Sequence, residues 1–183
     1  GVVLFAPNIF WENVNIVSIL RQSFDLPVYA TQDTRDAAWA EYLVGTGKGI
    51  KNLACITIGT GIGCGLIING AIFNGGLNTA GEFGHQIIKT DGNKCTCGRR
   101  GCIEAYAGGL AIIKEAKRTM PDQGPGLDVY DVFNMAEAGD ERAYEIIRHM
   151  PGHIGVGIVN LLNLISPEMV VLSGGISQAG DKL

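Results

Sequence analysis

Three cysteines crowd into eight residues in Cys95-Thr96-Cys97-Gly98-Arg99-Arg100-Gly101-Cys102, and this spacing constrains the fold more than anything else in the chain. The glycines between the thiols supply the backbone freedom a chain needs to wrap an ion. A closed structural metal site takes four ligands, commonly three thiolates and an imidazole, and soft thiolates select zinc over magnesium or calcium. Of the three histidines, His85 stands nearest, ten residues before Cys95. The expected ligand set is therefore His85, Cys95, Cys97 and Cys102. His149 and His153 also have ligand spacing on a helix, at i and i+4, but no third ligand lies near them in sequence, so helix packing or surface exposure is expected there. Cys55 and Cys64 sit in apolar runs and read as small buried hydrophobes.

The rest of the composition fits such a site. With 46% hydrophobic residues over 183 positions, the chain can bury a core, and the length suits one large domain or one domain plus part of another. The formal net charge is -4 with no block of like charge, which disfavours nucleic-acid binding by this region. No apolar run approaches the roughly 20 residues that span a bilayer, and the N-terminal residues lack the pattern of a signal peptide. A cytoplasmic location, where thiols stay reduced, is expected. Gly1 is not a natural start, and both ends read as edges of a longer protein.

Along the chain, Val2 to Phe5 reads as a strand, Asn13 to Ser23 as a helix, and Pro27 to Ala30 as another strand. Asp33 is placed to cap the helix that follows, which Gly45-Thr46-Gly47 ends. Leu53 to Ile58 and Gly65 to Ile68 read as strands joined by Gly59-Thr60-Gly61-Ile62-Gly63, with Asn69-Gly70 as a hairpin turn into Ala71-Ile72-Phe73. Helical patterns cover Ile103 to Lys117, Val129 to Ala138 and Glu141 to Leu164, the last with a kink expected at Pro151-Gly152. Glu168 to Leu172 is the last strand. A meander followed by helices returning to a strand indicates a mixed α/β architecture.

Two readings stand for the glycine segment. It is a hairpin with glycines at positive φ, or a place where bare backbone N–H groups and the Thr60 hydroxyl approach a nucleotide phosphate. Asp33 likewise is a helix cap or a catalyst. Glu82 lies three residues before His85 and Glu104 two after Cys102, so a closed metal site would bring both carboxylates close together.

Gly81-Glu82-Phe83-Gly84-His85 resembles the E-x-G-H motif, and Cys95 through Glu104 the C-x-C-G-x-x-G-C-x-E motif, of the ROK family of repressors and sugar kinases. The resemblance implies an actin-like ATPase fold, related to ribonuclease H, with residues 1–32 the remainder of an N-terminal lobe and 33–183 a C-terminal lobe. It implies an ATP-dependent sugar kinase, glucokinase-like, acting on a hexose or modified hexose. Asp33 is then the general base, and Gln32, Glu82, His85 and Glu104 hold the sugar. Gly59, Thr60, Gly61 and Gly63, with Gly174 and Gly175, attend the nucleotide, ATP with magnesium. The zinc is structural, and a homodimer or homotetramer is implied.

The family's first phosphate loop, D-x-G-G-T, does not occur in these residues, which leads us to expect no turnover from this stretch alone. Where family kinases read N-D-x-N, this chain has Gln32-Asp33-Thr34-Arg35. The cation of Arg35 could pair with Asp36, Glu41 or an acidic group of the ligand. The second reading implied by the same resemblance is a sugar-sensing transcriptional repressor whose DNA-binding domain lies outside this chain. A third is a non-catalytic zinc protein, in which Asp33 only caps a helix.

Overall fold

The computed structural model describes residues 1–6 and 9–178. Two sheets form. A small antiparallel one pairs β1 (Val3–Ala6) with β2 (Trp11–Val14) and is followed by helix α1 (Ile16–Ser23), capped by the Asn15 side chain. The helix therefore starts later than the apolar spacing suggests, because Asn13 takes φ 54° at the end of a strand. Pro27 to Ala30 forms no strand; it lies largely exposed ahead of α2 (Asp33–Val44).

The larger sheet is four-stranded in the order β5-β4-β3-β6, with β3 (Leu53–Ile58), β4 (Ile62–Ile68), β5 (Ala71–Ile72) and β6 (Met169–Ser173). β3 pairs antiparallel with β4 and parallel with β6. Its continuous apolar run follows from burial on both faces. Ala54, Ile56 and Ile58 point into the main core, while Leu53 and Cys55 point the other way, against Ala38 of α2. Burial pushes the Cys55 thiol up to about 11 and the Cys64 thiol up to about 12, in keeping with their reading as inert hydrophobes.

Helices α3 (Glu104–Ala107), α4 (Gly109–Thr119), α5 (Val129–Glu137), α6 (Glu141–Ile147) and α7 (Met150–Ile165) supply the other side of the main core. Two expected helices are each divided. Gly108, in extended conformation, separates α3 from α4. Pro151, which has no N–H to offer the preceding turn, stands at the start of α7, so the expected kink is a break at Arg148-His149. Asn69 and Gly70 both take positive φ, as the hairpin turn requires. Among the described residues, no helix is long and apolar enough to cross a membrane.

Candidate active site

The site gathers where β3 and β6 end side by side. Thr57 pairs with Ser173, so the chain leaves both strands at the same edge, into Gly59 from one and into Gly174-Gly175 from the other. Gly174 takes φ 93° and packs on the Ile58 backbone so closely that a Cβ would overlap it. The Gly59 segment is shorter than its sequence suggests. β4 begins at Ile62, Gly63 pairs with Thr57 in the ladder, and the connection is Gly59-Thr60-Gly61. None of Gly59, Gly61 and Gly63 has positive φ, so the hairpin reading based on left-handed glycines does not hold.

Close approach explains two of these glycines. A Cβ on Gly61 would stand 2.5 Å from the Glu104 carboxylate, and one on Gly63 would stand 2.5 Å from the Thr34 side chain. Gly59, by contrast, faces open space. The N-terminus of α4 secures the turn from behind, since Gly109 and Leu110 donate their N–H groups to the carbonyls of Gly59 and Thr60 at 2.9 and 3.0 Å.

Asp33 is the first residue of α2, not its cap. Gln32 holds the cap position without a side-chain bond, and Asp33 Oδ1 accepts from the N–H of Thr34 at 2.8 Å. The carboxylate is exposed, while Thr34 beside it is buried against Gly63. Arg35 pairs with neither Asp36 nor Glu41. It is buried, and its guanidinium donates to Asn78 and Ala80, whereas Glu41 accepts from Thr46.

The segment carrying Glu82 and His85 lies along the backbone of β4. A Cβ on Gly81 would strike the Cys64 carbonyl, and one on Gly84 the Ile62 carbonyl, so both glycines of the motif are demanded by contact. A short 3-10 turn, Phe83–His85, then directs the imidazole at the cysteine loop. Glu104 closes the arrangement: Oε2 accepts from the Ile62 N–H at 2.9 Å and Oε1 from the Thr96 hydroxyl at 3.1 Å. This double role of Glu104 is not visible in its spacing from Cys102.

His85, Cys95, Cys97 and Cys102 present ligand atoms that all lie within 4.8 Å of one another. The Sγ atoms of Cys97 and Cys102 are 3.7 Å apart, and Cys95 Sγ is 3.6 Å from His85 Nδ1. A tetrahedron with Zn–S bonds of about 2.3 Å has edges of about 3.8 Å, so the donor set fits that ion. His85 Nε2 faces Glu82 at 3.8 Å, as a ligating imidazole commonly faces a carboxylate on its far side. Burial raises the Cys102 thiol to about 12, helped by its neighbours Cys97 and Cys95. Burial also opposes the Cys97 thiolate, but hydrogen bonds from the Arg99 backbone and the adjacent side chains outweigh it, and its pKa is lowered.

His149 and His153 join no such cluster among the described residues. They line a cleft of about 780 Å³ that also touches Cys95, Thr96 and Glu104, and His153 packs against Tyr106 with ring centroids 4.8 Å apart and the rings tilted by 44°.

The glycine-bordered strand ends, the acidic helix start and the motif loops lying across β4 belong to the actin-like ATPase fold. The chain is a member of the ROK family, whose model matches residues 1–183. It is 38% identical to a glucokinase of Halalkalibacterium halodurans over 195 aligned positions, covering 100% of this chain and 59% of that protein. It is 30% identical to the xylose repressor of Bacillus subtilis, covering 97% of this chain and 45% of the repressor. Among solved structures it matches a ROK family glucokinase from Streptomyces griseus, in complex with glucose and AMPPNP, with a TM-score of 0.88 and 35% identity over 100% of this chain and 63% of that one. The chain therefore spans roughly half to three-fifths of the length of these relatives.

Proposed function

We propose that the protein containing this chain is an ATP-dependent kinase of a hexose or modified hexose, glucokinase-like, with Asp33 as general base. The observation that carries the reading is the convergence at one sheet edge of Gly59-Thr60-Gly61, Gly174-Gly175 and, through the Thr34–Gly63 contact, the start of α2 with Asp33. Phosphoryl transfer asks little covalent chemistry of a protein; it needs phosphates held by backbone N–H groups and a carboxylate at the attacking hydroxyl. Gly59, Thr60, Gly61 and Gly63 form the phosphate side with magnesium, and Gly174 and Gly175 the adenosine side. Gln32, Glu82, His85 and Glu104 hold the sugar, and Asp33 takes the proton of the hydroxyl that attacks the γ-phosphate. Zinc on His85, Cys95, Cys97 and Cys102 serves as a structural staple that fixes the loop bearing these groups.

In this reading residues 1–32 complete an N-terminal lobe and 33–183 form a C-terminal one, the working protein is a cytoplasmic homodimer or homotetramer, and the chain alone does not turn over. The bonds between Arg35 and the Asn78–Ala80 turn engage that cation within the protein, so in this reading Arg35 does not pair with an acidic group of the ligand.

The similarity to a xylose repressor supports a second reading, a sugar-sensing regulator. Sugar-dependent ADP release by the full-length protein, over glucose, mannose, fructose, allose and N-acetylated hexoses, separates the two. Turnover that Asp33→Asn lowers by at least about 100-fold is the expected result. Sugar binding without turnover in folded, zinc-loaded protein would overturn the kinase reading in favour of the regulator.

A further inference from the structure

Arg35 is 7% exposed, an unusual state for a guanidinium, whose burial demands good partners. Its partners are all on one turn: Nη1 donates to Asn78 Oδ1 at 3.0 Å, and Nη2 to the carbonyls of Asn78 and Ala80 at 2.7 and 3.4 Å. Its Nε has no partner among the described residues. The side chain has accepted burial with one donor unmet in order to grip this turn.

The turn is one that needs gripping. Asn78 sits at φ 60°, in the left-handed region, and its own side chain is exposed. The local backbone bonds are few: Asn78 N–H to Gly75 O at 3.4 Å and Ala80 N–H to Asn74 O at 3.0 Å. Three residues past Ala80's neighbour Thr79 comes Glu82, after Gly81 has pressed against the Cys64 carbonyl. The loop is thus anchored at Arg35 on one side and at β4 on the other, immediately before Glu82. Arg35 itself is in the first turn of α2, two residues from Asp33.

We propose that Arg35 is a positioning residue for the substrate: its fork onto Asn78 and Ala80 locks the loop carrying Glu82 to the helix start carrying Asp33, and so sets the affinity for sugar. The inference rests on the reading of this pocket as a sugar site. A side chain that only stabilised the fold would act on sugar and nucleotide alike, whereas a lock on the Glu82 loop acts on the sugar. Lysine cannot replace it, since a single ammonium cannot reproduce the forked geometry.

The test uses full-length, zinc-loaded protein and three variants, Arg35→Lys, Asn78→Ala and the double substitution. Asn78→Ala removes an exposed acceptor and puts alanine at a positive φ that asparagine tolerates better, but it leaves the buried Arg35 intact, so it keeps the test open if the variants of Arg35 fail to fold. Expected are a rise of about tenfold in KM for the sugar, with KM for ATP unchanged within about twofold, and a double variant no worse than the worse single one. Backbone hydrogen exchange across residues 74–81 should quicken in each variant. Equal rises in both KM values, or unaltered sugar KM in a folded Asn78→Ala protein, would overturn the proposal. If wild-type protein turns over no sugar, the kinase reading fails by itself; the exchange rates and the sugar dissociation constant then decide the lock, and unaltered values in Asn78→Ala would sink it.

Discussion

Glu104 bridges the two loops of the site, accepting the Ile62 N–H with one carboxylate oxygen and the Thr96 hydroxyl with the other. A leucine accepts at neither end. Glu104→Leu leaves the Ile62 N–H and the Thr96 hydroxyl without their acceptor, so the variant is expected to lose about 1–3 kcal/mol of stability, measurable by denaturant unfolding, while still binding zinc.

The glycines of the segment proposed to meet the nucleotide should separate by mechanism. Gly61→Ala drives a methyl into the Glu104 carboxylate and should lower the melting temperature. Gly59 has open space where its Cβ would go, so Gly59→Ala should melt like wild type yet raise KM for ATP, because the methyl occupies the approach of the phosphates. Parallel melting curves and ATP titrations check both.

Removing zinc from the proposed ligand set should loosen the site before it unfolds the core. The three thiols sit in a loop with little regular structure, crossed by the isolated bridges Ile87–Cys102 and Lys94–Arg100 and tied to Tyr106 by the Asn93 N–H. Chelation of zinc, or Cys97→Ser, is expected to lower the melting temperature and to quicken hydrogen exchange across residues 93–104, with far-UV circular dichroism almost unchanged. Loss of the β3–β4 signal at the same chelator concentration would contradict this order.

Gly157 in α7 lies against Phe83 and Ile103, the neighbours of Glu82 and Glu104 in sequence. Alanine favours a helix by about 1 kcal/mol over glycine. Here a methyl would overlap both side chains, so Gly157→Ala is expected to destabilise by about 1–3 kcal/mol instead, as calorimetry or urea unfolding would register.

Burial lowers the pKa of His153, with the His149 and Lys89 charges adding to it. A histidine that is harder to protonate when folded contributes stability above its ordinary value of 6.5, lost as the pH falls below that value toward the folded one. His153→Gln should therefore show a smaller drop in melting temperature than wild type between about pH 7.5 and pH 5.5. Equal drops would exclude this contribution.

The ligand cluster was legible because four metal-binding side chains at short spacing have few other uses in a folded chain, and the strands β3 and β6 because short apolar runs containing β-branched residues and ended by a glycine turn favour a sheet. Boundaries were less legible where one residue overrides a pattern: Asn13 at positive φ, Gly108 between helices, Pro151 at a helix start. The partner of Arg35 was beyond reach, since Asn78 and Ala80 lie 43 and 45 residues away and nothing in local spacing links them. The same holds for the link from Glu104 to Ile62, 42 residues away.

The parallel pairing of β3 with β6 has a consequence for how the molecule is made. Asn52 and Glu168, which tie the two strands together at their starts, are separated by 116 residues. A growing polypeptide produces its first glycine turn early, yet that turn acquires its opposite wall only after five helices have been synthesised and the late strand has docked beside the early one. Closing so long a loop is slow. The pocket is consequently among the last features to mature, and it reports on completion of the fold: a half-finished molecule has the thiols and the helix start but lacks the second glycine turn.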